Sequence, residues 1–552
     1  MNEAASGPTR VSRRDFVRRA TLVGLVAPAF GLLDACSSAP GAEPDPQPPP
    51  RSPGSTPPVI DLILPADPEV DAAERRRRTA DGAVQSYAMT ARPVTLDLAG
   101  TPATTWAYDD VLPGPLLRAR RGDVLEVLVR NTLPEPTSVH WHGIALRNDM
   151  DGVHDVTQAP IRPGELFTYR FTVPDAGTHW YHSHHGLQAD RGLYGPLIVD
   201  DPDEPGRYDS EHVIVLDDWI DGLGASPDEV RRALHGPDDV AHDAHGSVPG
   251  TLAAPAGGEP GARDQGAGDP GAGAAFVGRF RSDALGGDAG SIRYPMHLCN
   301  GRPDRPTLPV AAGGRVRLRI INAGAETAYR IAVGGHRLTV THSDGFAVEP
   351  VEVDAILLGM GERYDIEVTL RDGAWPFVAL AEGKDASTGA VLRTAAAPAT
   401  TTASPPPDAR PAELDGRLLR YEDLRAVPAA RFERFTPDLT QETTLTGRNA
   451  DYHWGIDGEA FPTNGSIDVH QGQQLRLTMR NTTKMWHPMH LHGHSFRLGD
   501  RADGPRKDTV IVRPGESLTF DTVCDNPGQW MAHCHNGYHQ DAGMAIALRY
   551  LR

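Results

Sequence analysis

Near its C-terminus the chain carries the run HCHNGYHQDAGM, His533 to Met544. A cysteine stands between two histidines, and a third histidine and a methionine follow at fixed steps. Imidazole, thiolate and thioether are soft or borderline-soft donors, so the run predicts a transition metal rather than an oxygen-bound cation. Three other runs extend the pattern: HWHG (His140, His142), HSHHG (His182, His184, His185) and HPMHLHGHSF (His487, His490, His492, His494). In a strand, residues i and i+2 share a face, so each H-x-H offers two imidazoles side by side. The pairs His140/His142, His182/His184, His490/His492 and His533/His535 supply more ligands than one ion can use. Three ions at a seam between the two ends of the chain fit that supply.

Cys534 faces the opposite side of its strand from His533 and His535. There it can meet His539, His487 and Met544. One thiolate, two imidazoles and a long axial thioether make a blue-copper electron-transfer site, and a zinc site rarely includes the methionine. Cys534 thus joins two sites, because an electron reaching it can pass along the backbone to His533 and His535. A lone H-x-H is an ordinary occurrence; four of them with the cysteine and methionine in step are not. His185 and His494 fall outside the pattern and read as ordinary hydrogen-bonded histidines.

These side chains need strands to hold them. With 58 glycines and 49 prolines against 54 lysines and arginines, the composition favours turn-rich β architecture. The stretches DVLEVLVRNTL, GRVRLRIINAG and QQLRLTMRNTT each run from a charged strand into an asparagine, a weak internal repeat with one copy per third of the chain. An all-β fold of three β-sandwich domains is expected, spanning 79–202, 203–394 and 426–552. A flexible insertion is expected near 221–290, centred on the low-complexity residues 246–275, and a linker over 395–425.

The N-terminus reads as an address. Residues 1–36 resemble a bacterial twin-arginine signal (Arg13, Arg14) closed by a lipobox at LDAC, with Cys36 as the lipidated residue. Residues 37–78 read as a disordered tether, with Arg75–Arg78 as a solvated run. An exported, membrane-anchored protein is expected. The formal charge of -19 argues against nucleic acid as a partner. Export permits a disulfide between Cys299 and Cys524; two buried thiols are the alternative.

The histidine runs, together with RNDMDGV, DRGLYGPLIV, LDDW, GERYDI and DNPGQW, resemble the multicopper oxidases, specifically the bacterial three-domain laccase-like and copper-resistance branch. The resemblance implies three cupredoxin-like Greek-key domains and four copper ions. It also implies one-electron oxidation of reductants coupled to four-electron reduction of O2 to water. By position, type 1 copper takes His487, Cys534, His539 and Met544, and type 2 takes His140 and His490. The type 3 pair takes His142, His182, His184, His492, His533 and His535.

Asp151 matches a family carboxylate that relays protons. Where relatives often hold a second carboxylate, this chain has Gln540, and Asp541 is expected to point elsewhere on a strand. The reductant stays open between phenols or aromatic amines and Cu(I), the latter as a dedicated copper-resistance activity. A copper carrier without O2 chemistry is the distant alternative, and a monomer is expected. The chain has only ten methionines and the low-complexity insertion has none. Met360 with Glu362 and Asp365 reads either as a modest cation site or as packing. Met485, Met489 and Met531 read as packing near the ligands.

Overall fold

The structure is a computed structural model that describes residues 61–236, 271–394 and 410–552, apart from 80, 205, 207, 312, 433 and 434. The export signal, Cys36 and most of the low-complexity insertion lie outside the described residues.

Strands form three pairs of sheets in chain order. The first pair holds four strands in each sheet and spans Val84–Leu98 to Tyr194–Asp200. The second pair has six and five strands, from Ser210–Trp219 to Ser387–Thr394, and the third has six and five, from Leu439–Arg448 to Ala545–Leu551. These are cupredoxin-like β-sandwiches, as expected from the sequence.

The internal repeat has a physical basis. Val124–Asn131, Arg315–Asn322 and Gln474–Asn481 each pair in parallel with the first long strand of their sandwich and antiparallel with a later one. The closing asparagines are fully buried. Each donates its amide twice to backbone carbonyls: Asn131 to Glu135 and Ile161, Asn322 to Thr327 and Leu358, Asn481 to Met485 and Val512. Each also accepts from a backbone N–H two residues on. A buried amide so satisfied fixes the strand exit, and a hydrophobic residue there would leave those backbone groups unpaired.

Three expectations about connecting segments are corrected. The supposed tether is structured from residue 61. Helix Pro68–Arg77 begins with proline in its first turn and buries Val70, Ala73 and Glu74. Glu74 accepts from the N–H and hydroxyl of Thr172 in the first sandwich, while Ile63 donates to the Tyr550 carbonyl in the third. Arg77, from the supposed solvated run, donates to the Ala145 carbonyl and to Asn526. The segment therefore straps the first sandwich to the third.

The insertion is structured at both ends. Helix Pro227–His235 carries a capping box of Ser226 and Glu229, and Val277–Ser282 pairs with Gly287–Ile292 as a hairpin. The linker becomes a second strap from residue 410, with Leu414, Leu419 and Leu424 buried. Its Tyr421 donates to Glu362 of the middle sandwich and accepts from the Ile511 N–H of the third.

Of the two alternatives for Cys299 and Cys524, the structure shows the buried thiols. Cys299, Cys524 and Cys534 are buried and free, and Cys299 belongs to the core of the middle sandwich whereas Cys524 belongs to the core shared by the first and third.

Candidate metal centres

Strand register brings the histidine pairs together. His140–His142 runs antiparallel to Gly177–His182 with His140 opposite His182, and His487–Leu491 runs antiparallel to Gln529–Cys534 with His490 opposite His533. The two half-sites meet across the first and third sandwiches. The His140 ring stacks on His492 at 3.8 Å between centroids, and His142 stacks on His490 at 3.8 Å. His142 lies 4.9 Å from His535, and His184 lies 5.2 Å from His533. Ligand atoms of His184, His492 and His533 fall within 4.8 Å of one another, as do those of His140, His490 and His492, and of His140, His142 and His182.

Six of the rings are fixed by the nitrogen that does not face their neighbours. Nδ1 of His140, His182, His490 and His533 lies 2.9–3.0 Å from the carbonyls of Asp151, Ser183, Asp508 and Cys534. Nδ1 of His492 lies 2.9 Å from Asp151 Oδ2. A ring that donates through Nδ1 presents an Nε2 lone pair. The Nε2 atoms of His140, His182, His490 and His535 are buried and make no hydrogen bond within the protein. His142 is turned the other way, with Nε2 against Asp508 Oδ1 at 3.2 Å and a buried Nδ1 without a partner. Burial, and the crowding of the rings on one another, hold His142, His182, His492, His533 and His535 well below the usual imidazole range, so their lone pairs stay available.

Across the strand, Cys534 Sγ lies 3.6 Å from Nδ1 of His487 and 3.6 Å from Nδ1 of His539. Thr483 Oγ1 lies 2.9 Å from His487 Nε2, which aims Nδ1 at the sulfur. The Met544 carbonyl accepts from the Cys534 N–H, and the Met544 side chain packs in the same core. Burial pushes the Cys534 thiol up and the His487 and His539 imidazoles down. A thiolate at this position therefore calls for a bound cation. Both donor sets fit copper: neutral imidazoles converging at one site, and a thiol with two imidazoles at the other.

Among the described residues the middle sandwich has no histidine cluster, yet it closes the site. Gly361 has φ +83°, and a Cβ there would lie 2.9 Å from His535 Cδ2 and 3.0 Å from His142 Cε1. Arg363 holds Asp508. Burial opposes ionisation of Asp508, but Arg363 and the hydrogen bonds from His142 and His490 outweigh it and keep the carboxyl well below its usual range. The GERYDI motif is the sequence signal for Gly361 and Arg363, whereas Asp508 has none. Trp454, whose ring lies 4.2 Å from His539 and 5.3 Å from His487, had no such signal.

Sequence expectations nearby fare unevenly. His494 is an ordinary hydrogen-bonded histidine, its Nε2 2.6 Å from the Tyr550 hydroxyl. Gly537–Asp541 is a helical turn, not strand. The turn sends the Gln540 amide to within 3.3 Å of His184 Nε2 and puts Asp541 3.7 Å from Arg231. The Met360 cation site does not assemble. Met360 is core, Glu362 lies 3.1 Å from Lys507, and Asp365 is held by Arg317 and Arg319.

Multicopper oxidase family models match residues 90–204, 279–398 and 434–551. The chain belongs to the multicopper oxidase family. It is 44% identical, over the full length of both chains, to Multicopper oxidase MmcO of Mycobacterium tuberculosis. It is 28% identical to a Copper resistance protein A homolog of Pseudomonas syringae pv. tomato, over 84% of this chain and 92% of the relative. Its fold superposes on the crystal structure of a multi-copper oxidase from Pseudomonas thermotolerans with a TM-score of 0.60, at 27% identity, covering 85% of this chain and all of the other. As a multicopper oxidase it binds type 1, type 2 and type 3 coppers and oxidises reductants with O2 as acceptor.

Proposed function

We propose that His487, Cys534, His539 and Met544 hold type 1 copper, that His140 and His490 hold type 2, and that His142, His182, His184, His492, His533 and His535 hold the type 3 pair. The observation that carries this reading is the shared strand: Cys534 faces His487 and His539 while its neighbours His533 and His535 face the other histidines. When bound, the coppers carry the one-electron steps and the reduction of O2. The protein keeps both donor sets buried and fixed, and the Cys534 backbone gives the shortest covalent path between them. Asp151, fully buried with Oδ2 on His492 Nδ1 at 2.9 Å and Oδ1 3.2 Å from His140 Nδ1, orients both rings and relays protons to the cluster.

The reductants we infer are a broad range: phenols, aromatic amines or Cu(I). A Cu(I)-dedicated activity is the second reading, favoured by one observation. His487 and His539 are fully buried behind Trp454 and Tyr452, and His235 of helix Pro227–His235 packs 5.2 Å from the Tyr452 ring. That cover suits a small reductant. The protein acts outside the cytoplasm as a monomer, exported through its twin-arginine segment and anchored by lipid at Cys36.

The test is O2 uptake by copper-loaded protein with a phenol and with Cu(I). Uptake with both supports the broad reading, and uptake with Cu(I) alone supports the second. Blue colour without uptake on either reductant contradicts both.

A further inference from the structure

Gln540 cannot give up a proton where relatives often keep a carboxylate, yet it stands 3.3 Å from His184. A small cavity of about 40 Å³ opens beside it, enough for a few water molecules. Its inner wall includes His182 and His535, its outer lip includes the exposed Gly186 and the half-buried Gly537 and Gln540, and Asp190 lies in its side.

Asp190 is 4% exposed. Its Oδ2 accepts from the hydroxyls of Tyr538 at 2.6 Å and Tyr294 at 3.2 Å, while its buried Oδ1 makes no hydrogen bond within the protein. The surrounding side chains are acidic, and burial together with Asp218 pushes Asp217 up as well. Asp217, Asp218 and Asp221 come from the strand Ser210–Trp219 and its exit, and Glu326 stands behind them. The nearby cations are engaged elsewhere: Lys384 with Glu326 at 2.7 Å, and Arg191 with Asp228 and, at 3.9 Å, Asp221. Burial first, and Asp218, Asp217 and Asp221 after it, push the Asp190 carboxyl well above the usual carboxylate range, against the hydrogen bond from Tyr538. A neutral carboxylic acid is the form this setting favours.

We propose that Asp190 is a proton store for O2 reduction, placed on the side of the cluster where Gln540 stands. The inference rests on the O2-reducing reading of the histidine cluster. Reducing one O2 to two waters takes four electrons, which the reductant supplies, and four protons. In each transfer the carboxyl O–H bond of Asp190 breaks and its proton passes through cavity water to the oxygen being reduced. The carboxylate then regains a proton from solvent past Gly186 and Gln540, so Asp190 ends unchanged. Tyr538 and Tyr294 hold Oδ2 in place and leave Oδ1 as the exchanging oxygen.

The experiment compares wild type, Asp190→Asn and Asp190→Glu by two readouts. Infrared spectroscopy of the metal-free protein at neutral pH should show the carbonyl band of a protonated carboxyl, shifted in D2O, absent from D190N and retained in D190E. In the copper-loaded proteins, kcat for O2 uptake should fall about 10²-fold in D190N. Its solvent deuterium isotope effect should rise, D190E should recover part of the rate, and the blue band and its anaerobic bleaching by reductant should be unchanged.

An unchanged carbonyl band in D190N, or unchanged kcat and isotope effect, would overturn the proposal. So would bleaching slowed as much as O2 uptake, which would place Asp190 on the electron path. If D190N fails to take up copper, D190E decides: full loss of uptake there with copper retained contradicts the store. A wild type that takes up no O2 with any reductant would instead defeat the oxidase reading, and the infrared band separates the two failures.

Discussion

Arg363 and Asp508 form a bidentate, fully buried ion pair, Nη1 to Oδ1 at 2.6 Å and Nη2 to Oδ2 at 2.7 Å. The arginine comes from the middle sandwich and the aspartate from the third, and the same Asp508 Oδ1 faces His142 of the first at 3.2 Å. One carboxylate thus joins all three sandwiches at the cluster. Gly143, with φ +82°, leaves room for it, since a Cβ there would lie 2.4 Å from Arg363 Nη2. Arg363→Ala strands a buried carboxylate and should cost about 3–5 kcal/mol. Denaturant unfolding with copper analysis checks this; a loss under about 1 kcal/mol with full copper would show that the pair does not hold the interface.

The N-terminal strap should matter for stability. Glu74→Ala removes the acceptor for the Thr172 N–H and hydroxyl, both buried. A loss of about 1–3 kcal/mol is expected, while Arg78→Ala, just beyond the helix, should be near neutral. Equal effects at the two positions in thermal unfolding would count against a strap.

Acid should unfold the metal-free protein early. Burial, aided by Arg363 at His179, His154 at His185 and Lys384 at His297, pushes all three imidazoles down to about 3. The unfolded chain protonates them near pH 6.5, so between those values it binds more protons than the folded chain. Their contribution is complete above about pH 6.5 and is lost as pH falls towards 3. Asp221 works the other way: burial raises it to about 6, and its contribution fades as pH rises through that value. Denaturant midpoints from pH 7 to pH 4 should fall, and His297→Gln should flatten the fall.

Cys299 and Cys524 should both alkylate in denatured, unreduced protein, and a reductant should leave the unfolding midpoint unchanged. Protection of both thiols until reduction would restore the disulfide.

The histidine clusters were legible in the sequence because a strand turns an H-x-H spacing directly into a shared face, and the repeated strands were legible because each ends on the same buried asparagine. What the sequence did not show depends on contacts between distant segments. Arg363 reads as an ordinary strand arginine until Asp508 is folded against it. Asp190 opens the run DRGLYGPLIV, and nothing in that run places it beside Tyr538 and Tyr294. The strap escaped notice because its proline-rich approach resembles a tether, although Val70, Ala73 and Glu74 sit at helical spacing.

Whether one strand serves two metal centres through Cys534 is decided by metal analysis and spectroscopy of Cys534→Ser. The expected protein loses the blue band and one copper equivalent, keeps the copper bound by the histidine cluster, and no longer takes up O2 with any reductant. Retention of the blue band, or of O2 uptake at the wild-type rate, would contradict it.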